Sequence, residues 1–189
     1  DELQQMALDL FGEKADVDEE LLYRSSGNSG GCRPKCLLQD EEGSWIVKFR
    51  HTYDPMDMGR MEWCYNDVAR RCGIDVPDFK LIDDCYFATK RFDVVDGVRY
   101  HVITAAAMLG VSHQVPTLDY SVLLNLTGWL TQSPKEVEQM FRRMVFNVLA
   151  KNRDDHAKNV SFIYTESGWH LASAYDLTYS PAGYNGEHT

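Results

Sequence analysis

Asp154, Asn159 and Asp176 constrain this chain most, because three oxygen-bearing side chains at that spacing require a particular fold around them. The run Arg153-Asp154-Asp155-His156-Ala157-Lys158-Asn159 is followed by Trp169-His170-Leu171-Ala172-Ser173-Ala174-Tyr175-Asp176. Between them, Val160-Ser161-Phe162-Ile163-Tyr164 and Gly168-Trp169-His170-Leu171 read as two short strands about the polar turn Thr165-Glu166-Ser167. A hairpin there returns Asp176 to Asn159, so that two oxygen ligands converge on one hard cation, an arrangement suited to magnesium. An Arg-Asp pair preceding an Asn at this distance is the pattern of a phosphoryl-transfer catalytic loop, in which the Asp orients a hydroxyl and the Asn reaches a metal. Asp154 fits that spacing and Asp155 does not. Asp154 is therefore the expected catalytic group, and Asp155 takes a supporting or surface role.

Two other readings stay open from these residues. An acidic cluster in an acidic chain can be a solvated loop. An Asp-Asp-His set can also hold a transition metal that activates water, which would make the chain a metal-dependent hydrolase.

The hydrophobic fraction of 44% and aromatic fraction of 12% mark a globular chain. A length of 189 residues suffices for one good core or two small lobes. The formal net charge of -10 argues against direct binding to nucleic acid. The five cysteines show no paired spacing of a zinc site, which suits free thiols in a reducing cytoplasm. The longest mostly apolar run, Val102 to Val111, is too short to span a bilayer, so no membrane association is expected.

Along the chain, residues 1–23 have the apolar spacing of short helices, and Ser25 to Gly31 is a dense loop signal. Cys36-Leu37-Leu38 and Trp45 to Phe49 read as a hairpin, with Lys48 inside an apolar strand. A helix is expected over Met58 to Cys72, with Glu62 near its start; Lys48 points either to solvent or to an anionic partner, and Glu62 is either a surface group or that partner, as the strand lysine and helix glutamate are in kinases. Pro77 to Ile82 and Cys85 to Phe92 read as further strands, which would complete a small sheet of local hairpins. Beyond Arg99, helices are expected over Ser121 to Leu130 and Pro134 to Asn152. The second of these carries Val137, Met140, Phe141, Met144, Val145, Val148 and Leu149 as a continuous apolar core face. The expected boundary falls after Phe92, giving a nucleotide-binding lobe over residues 1–92 and a helical lobe over residues 93–189.

With these elements in order, the chain resembles the HipA-like kinases, the serine/threonine kinases of bacterial toxin–antitoxin modules. The matching residues are Ser29 to Lys35, Trp45 to Phe49, Glu62, Gly73 to Pro77, Arg91-Phe92-Asp93, Phe141 to Asn147, Asn152 to Asn159 and Ala174 to Leu177. The resemblance implies an α+β, protein-kinase-like bilobal fold with a small antiparallel-sheet N-lobe and a helical C-lobe. It implies ATP and Mg2+ as cofactors. Ser29, Gly30, Gly31, Cys32 and Lys48 would lie over the phosphates, with Glu62 holding Lys48, and Lys90, Arg91 and Phe92 would form the hinge near adenine. Asp154 would be the catalytic base, and Asn159 and Asp176 the magnesium ligands. His156 and Lys158 would neighbour the transferred group, with Tyr175 also in the nucleotide site. The implied substrate is a protein serine or threonine, in known members that of an aminoacyl-tRNA synthetase, whose modification blocks translation. The implied partner is a helix-turn-helix antitoxin, through which alone DNA is met.

The chain departs from the family in two places. Asn28 stands where some members carry a self-phosphorylated serine, with Ser26 and Ser29 nearby. The sequence stops at Thr189, where the family continues into further helices of the lower lobe. A fragment, or one chain of a split protein, is therefore expected. A kinase-like binding module without activity, engaging an antitoxin or target, is the alternative from another functional class.

Overall fold

The computed structural model describes residues 35–49, 55–111 and 119–180. The expected N-terminal helices and the glycine-rich loop, including Ser29, Gly30, Gly31 and Cys32, lie outside the described residues. The chain divides into two compact units: Asp1–Cys64 with Asp78–Asp96, and Tyr65–Pro77 with Gly97–Thr189.

The first unit is built on a four-stranded antiparallel sheet of β1 (Lys35–Asp40), β2 (Gly43–Lys48), β3 (Phe79–Ile82) and β4 (Tyr86–Lys90). Its order is β1-β2-β4-β3, so β2 pairs with β4 rather than with the strand that follows it. The sheet is thus not a set of local hairpins alone, because a helix, α1 (Met58–Arg71), intervenes between β2 and β3. Alternation along β2 sends Trp45 and Val47 into a core with Cys36, Phe49 and Ala88. Lys48 faces the other way and stands opposite Phe87 in the register. The β3–β4 turn carries Asp83 and Asp84 at φ 48° and 58°; aspartate tolerates the left-handed region better than most side chains. Only a glycine fits at residue 59 of α1, since a Cβ there would lie 1.9 Å from the Cys85 carbonyl oxygen. The unit ends with the two-residue strand β5 (Val94–Val95).

The second unit takes the chain from Tyr65 to Pro77, which includes the end of α1, and resumes at Gly97; there β6 (Val98–Arg99) precedes a three-stranded antiparallel sheet of β7 (His101–Thr104), β8 (Ser161–Thr165) and β9 (Gly168–Leu171). The β8–β9 hairpin falls where the sequence places it. The pairing of β7 with β8, Ile103 opposite Phe162, was not anticipated, because β7 lies almost sixty positions away and carries no hairpin signal of its own. A one-turn helix, α2 (Ala105–Met108), follows β7, and then come α3 (Tyr120–Thr131) and α4 (Pro134–Ala150). Asp119 caps α3 by accepting from the Ser121 and Val122 amides. Proline at the first turn starts α4. Leu123, Leu126, Met140, Phe162 and Leu171 form the core, and Ala157 and Val160 reach into it from the loop between α4 and β8. The four cysteines among the described residues are free thiols. No helix of the described residues is long and apolar enough to cross a membrane.

The expected core face of α4 needs correction. Met140, Arg143, Phe146 and Asn147 are its buried residues, whereas Phe141, Val145, Val148 and Leu149 are 50%, 37%, 47% and 78% exposed. Two polar side chains take the inward positions because they have buried partners, which hydrophobic periodicity does not register. Phe141, Val145 and Leu149 line an open apolar groove with Val68 and Cys72.

An alanine at residue 59 tests the close approach of α1 to the β3–β4 turn. In an unconstrained helix Gly→Ala stabilises by about 1 kcal/mol; here the clash with a carbonyl dominates. Gly59→Ala should lower stability by roughly 1–3 kcal/mol, read as a fall in the urea midpoint. A rise in the midpoint would contradict the packing.

Candidate active site

In the first unit, alternation along β2 places the Lys48 ammonium 2.5 Å from the Glu62 carboxylate of α1. Glu62 is 2% exposed and Lys48 15%, so the pair is largely withdrawn from solvent, where each charge needs the other. The Lys48 ammonium also lies 5.8 Å from the centre of the Phe87 ring. A cavity of about 100 Å³ lies beside the pair, lined by Met56, Met58, Gly59 and Cys85 among others. Lys90 closes β4 opposite Trp45. The Arg91 amide donates to the Ser44 carbonyl, and its guanidinium forks onto Asp93 at 2.9 and 2.5 Å, which holds its pKa above the usual arginine value through the paired hydrogen bonds. Phe92 follows, half-buried.

In the second unit, the loop Arg153 to Asn159 is held from several sides. Lys151 ends α4 in the left-handed region at φ 55°, and the Asn152 amide donates back to the Asn147 carbonyl at 2.9 Å, a Schellman closure that turns the chain into the loop. The Ala105 and Ala106 amides, at the start of α2, donate to the carbonyls of Val160 and Ala157. Within the loop, the Asn159 amide side chain donates to the Asp154 carbonyl at 2.7 Å, and the His156 Nε2 lies 3.4 Å from the Asp154 carboxylate. The Asp154 side chain is 60% exposed.

The two adjacent carboxylates have opposite surroundings. Asp155 is buried at 4% exposure and accepts a 2.6 Å hydrogen bond from the Tyr120 hydroxyl. Asp154 faces outward and Asp155 inward, so Asp154, Asp155 and His156 do not present one common ligand set. Among the described residues, no group of three His, Cys, Asp or Glu side chains is placed to hold a metal ion.

Tyr175 ties the Asp176 segment to the loop. Its hydroxyl donates to the Lys158 carbonyl at 2.6 Å and lies 2.5 Å from the Ser161 hydroxyl. Burial pushes Tyr175 up to about 12, with the Asp176 charge adding to the shift. Further support comes from Arg143, which is buried and donates to the Ala172 carbonyl, and from Asp75, whose carbonyl accepts from the Ala174 amide. Asn66 of α1 donates to the Leu177 carbonyl at 3.4 Å. Asp176 itself has φ 54°, a conformation that aspartate and asparagine adopt more readily than other side chains.

Of the candidate residues, Lys48 and Glu62 meet in the first unit, where Lys90, Arg91 and Phe92 also lie. Asp154, His156, Lys158, Asn159, Tyr175 and Asp176 gather in the second. The sequence reading missed the supports Tyr120, Arg143, Asn147 and Asn152; the only signal was polar residues on an apolar helix face or beside the catalytic run.

The chain matches the HipA-like C-terminal domain family over residues 27–188. It therefore belongs to the HipA-like family. It is 31% identical over 165 residues to Y4dM of Sinorhizobium fredii, a protein named only as a candidate kinase; the match covers 78% of this chain and 40% of Y4dM. The fold is similar to that of HipA from Shewanella oneidensis MR-1, solved with HipB and its operator DNA, at a TM-score of 0.66 and 22% identity over 85% of this chain and 46% of HipA. It is also similar to the Helicobacter pylori proinflammatory kinase CtkA, at a TM-score of 0.64 and 17% identity over 87% of this chain and 58% of CtkA. The chain thus spans less than two thirds of each of these relatives. Its α+β architecture is the kinase-like fold they share.

The buried phenol of Tyr175 makes stability depend on alkaline pH. Its folded pKa, about 12, is above the ordinary 10.0, so its contribution is whole below pH 10 and is lost as pH rises through 12. Denaturant titrations at stepped pH should show stability falling across that window, with a shallower fall in Tyr175→Phe. An identical slope in the variant would contradict the burial.

Proposed function

We propose that this chain carries the nucleotide and catalytic residues of an ATP- and magnesium-dependent protein serine/threonine kinase. The observation that supports it most is the Tyr175–Lys158 hydrogen bond, which joins the loop of Asp154 and Asn159 to the segment of Asp176. Asp154, outward and exposed, is suited to orient a substrate hydroxyl and take its proton. Asn159 and Asp176 would supply oxygen ligands to the magnesium ion; the Asn159 amide nitrogen is engaged by the Asp154 carbonyl, which leaves its oxygen as the ligand atom. Lys48, held by Glu62, would present its ammonium to the nucleotide phosphates. Magnesium, when bound, would neutralise phosphate charge in the transfer. Because the protein acts through placement and electrostatics, most of the rate depends on how rigidly these groups are held.

The glycine-rich residues Ser29, Gly30, Gly31 and Cys32 would cover the phosphates, and Lys90, Arg91 and Phe92 would flank the adenine. His156 and Lys158 would neighbour the transferred group. The HipA relative is solved with HipB and DNA; by analogy, a DNA-binding antitoxin is the proposed partner of this chain and a cytoplasmic protein hydroxyl its substrate, an aminoacyl-tRNA synthetase being one such target. The net charge of -10 favours contact with DNA through that partner rather than directly.

Calorimetric titration with ATP, with and without magnesium, tests the nucleotide half. Lys48→Ala and Asp176→Asn should each weaken magnesium-dependent binding. The second variant keeps a residue suited to the left-handed backbone and so removes mainly charge. Asp154→Asn should bind ATP as the wild type does, while turnover on serine- and threonine-containing protein acceptors falls roughly a hundred- to ten-thousandfold. A folded wild type that binds no ATP in the presence of magnesium would sink the proposal.

A further inference from the structure

Both ends of the Asn152–Asp155 segment, within which Asp154 lies, enter one buried chain of hydrogen bonds. The Asn152 amide donates to the Asn147 side-chain oxygen at 3.0 Å. The Asn147 amide donates to the Tyr120 hydroxyl at 2.9 Å. That hydroxyl donates to the Asp155 carboxylate at 2.6 Å. The series leaves the loop, passes through α4 to the first residue of α3, and returns to the loop three positions later. All four residues are between 2% and 8% exposed.

We propose that Asn152, Asn147, Tyr120 and Asp155 form a positioning device that clamps the loop on both sides of Asp154 and fixes where its exposed carboxylate stands. The inference rests on the phosphoryl-transfer reading for the role of Asp154, but the clamp itself rests on geometry. A solvated loop has no reason to bury a carboxylate, since an ionised group loses its hydration there and must be compensated by hydrogen bonds. Asp155 is compensated by a donor whose direction is fixed in turn by Asn147. Asn152, Asn147 and Tyr120 each donate to the next member, so breaking one link removes a buried hydrogen bond and weakens its neighbours in the series. Burial and the neighbouring carboxylate raise the Tyr120 pKa well above the usual phenol value, which keeps its proton in place as the donor. The device acts through Asp154; none of its four members is assigned contact with substrate.

The test is Tyr120→Phe, which keeps the ring in the core and deletes the hydroxyl at the centre of the chain. Phosphate transfer from magnesium-ATP should fall about a hundredfold, the scale of a misplaced catalytic group, with ATP affinity unchanged. Hydrogen exchange at the loop amides, Asn159 included, should quicken while exchange in the α3 and α4 cores stays slow. Asp155→Asn, which retains an oxygen to accept from Tyr120, should keep most of the activity. Asn152→Ser breaks the series at its other end and should repeat the Tyr120→Phe pattern, serving in its place if the phenylalanine variant does not fold. Unchanged loop exchange in the variants would overturn the inference, as would parallel losses of ATP affinity, turnover and core protection. Exchange is read whatever the turnover. A wild type that neither binds nor turns over ATP would therefore sink the kinase reading and still leave the clamp decided by the loop amides.

Discussion

The Asp155 carboxylate, withdrawn from water in the second unit, sets a condition that much of that unit meets. Leaving an ionised group buried without partners costs several kcal/mol, more than most single contacts return. The compensating hydroxyl comes from Tyr120, which must then sit at the start of α3, where Asp119 caps the helix. Asn147 can reach that hydroxyl only if α4 runs alongside with its polar edge inward. The inward Arg143 on the same helix is satisfied in part by the Ala172 carbonyl, which draws in the segment leading to Asp176. Polar requirements thus select which face of α4 is buried, and the apolar stripe is divided as a result.

How far the site was legible in the sequence follows from this. The hairpin returning Asp176 to the loop was readable because strand alternation and a polar turn are local signals. The Lys48–Glu62 pair was suggested by the kinase pattern and not by local signals, because a lysine in an apolar strand can equally point to solvent and a helix glutamate is by itself most often a surface group. Even so, the sheet order β1-β2-β4-β3 was not readable, since it depends on where α1 lets the chain return. Spacing alone carried the choice of Asp154 over Asp155 as the catalytic group, and it left Asp155 a supporting or surface role, of which the surface option is removed by its burial. What spacing could not convey is that Asp155 has a defined buried partner thirty-five residues earlier in the chain. Nor could periodicity distinguish Met140, buried, from Phe141 beside it, because an apolar residue registers alike whether it meets a core or open water.

The first unit follows a different logic, in which one steric contact carries the weight. Gly59 lets α1 descend onto the Cys85 carbonyl, and the same helix carries Glu62 to Lys48 one turn later. A glycine there costs helix propensity of about 1 kcal/mol, offset by the approach it permits. Glu62 can be buried because the helix comes close enough for its charge to be matched.

The uncovered stripe of Phe141, Val145, Val148 and Leu149 bears on the colloidal behaviour of the chain. Apolar surface of that extent draws molecules together, while a net charge of -10 pushes them apart. Added salt screens the repulsion within a Debye length, and sulfate also strengthens apolar burial. The two effects act in the same direction, so self-association of the isolated chain follows the identity of the anion as well as ionic strength.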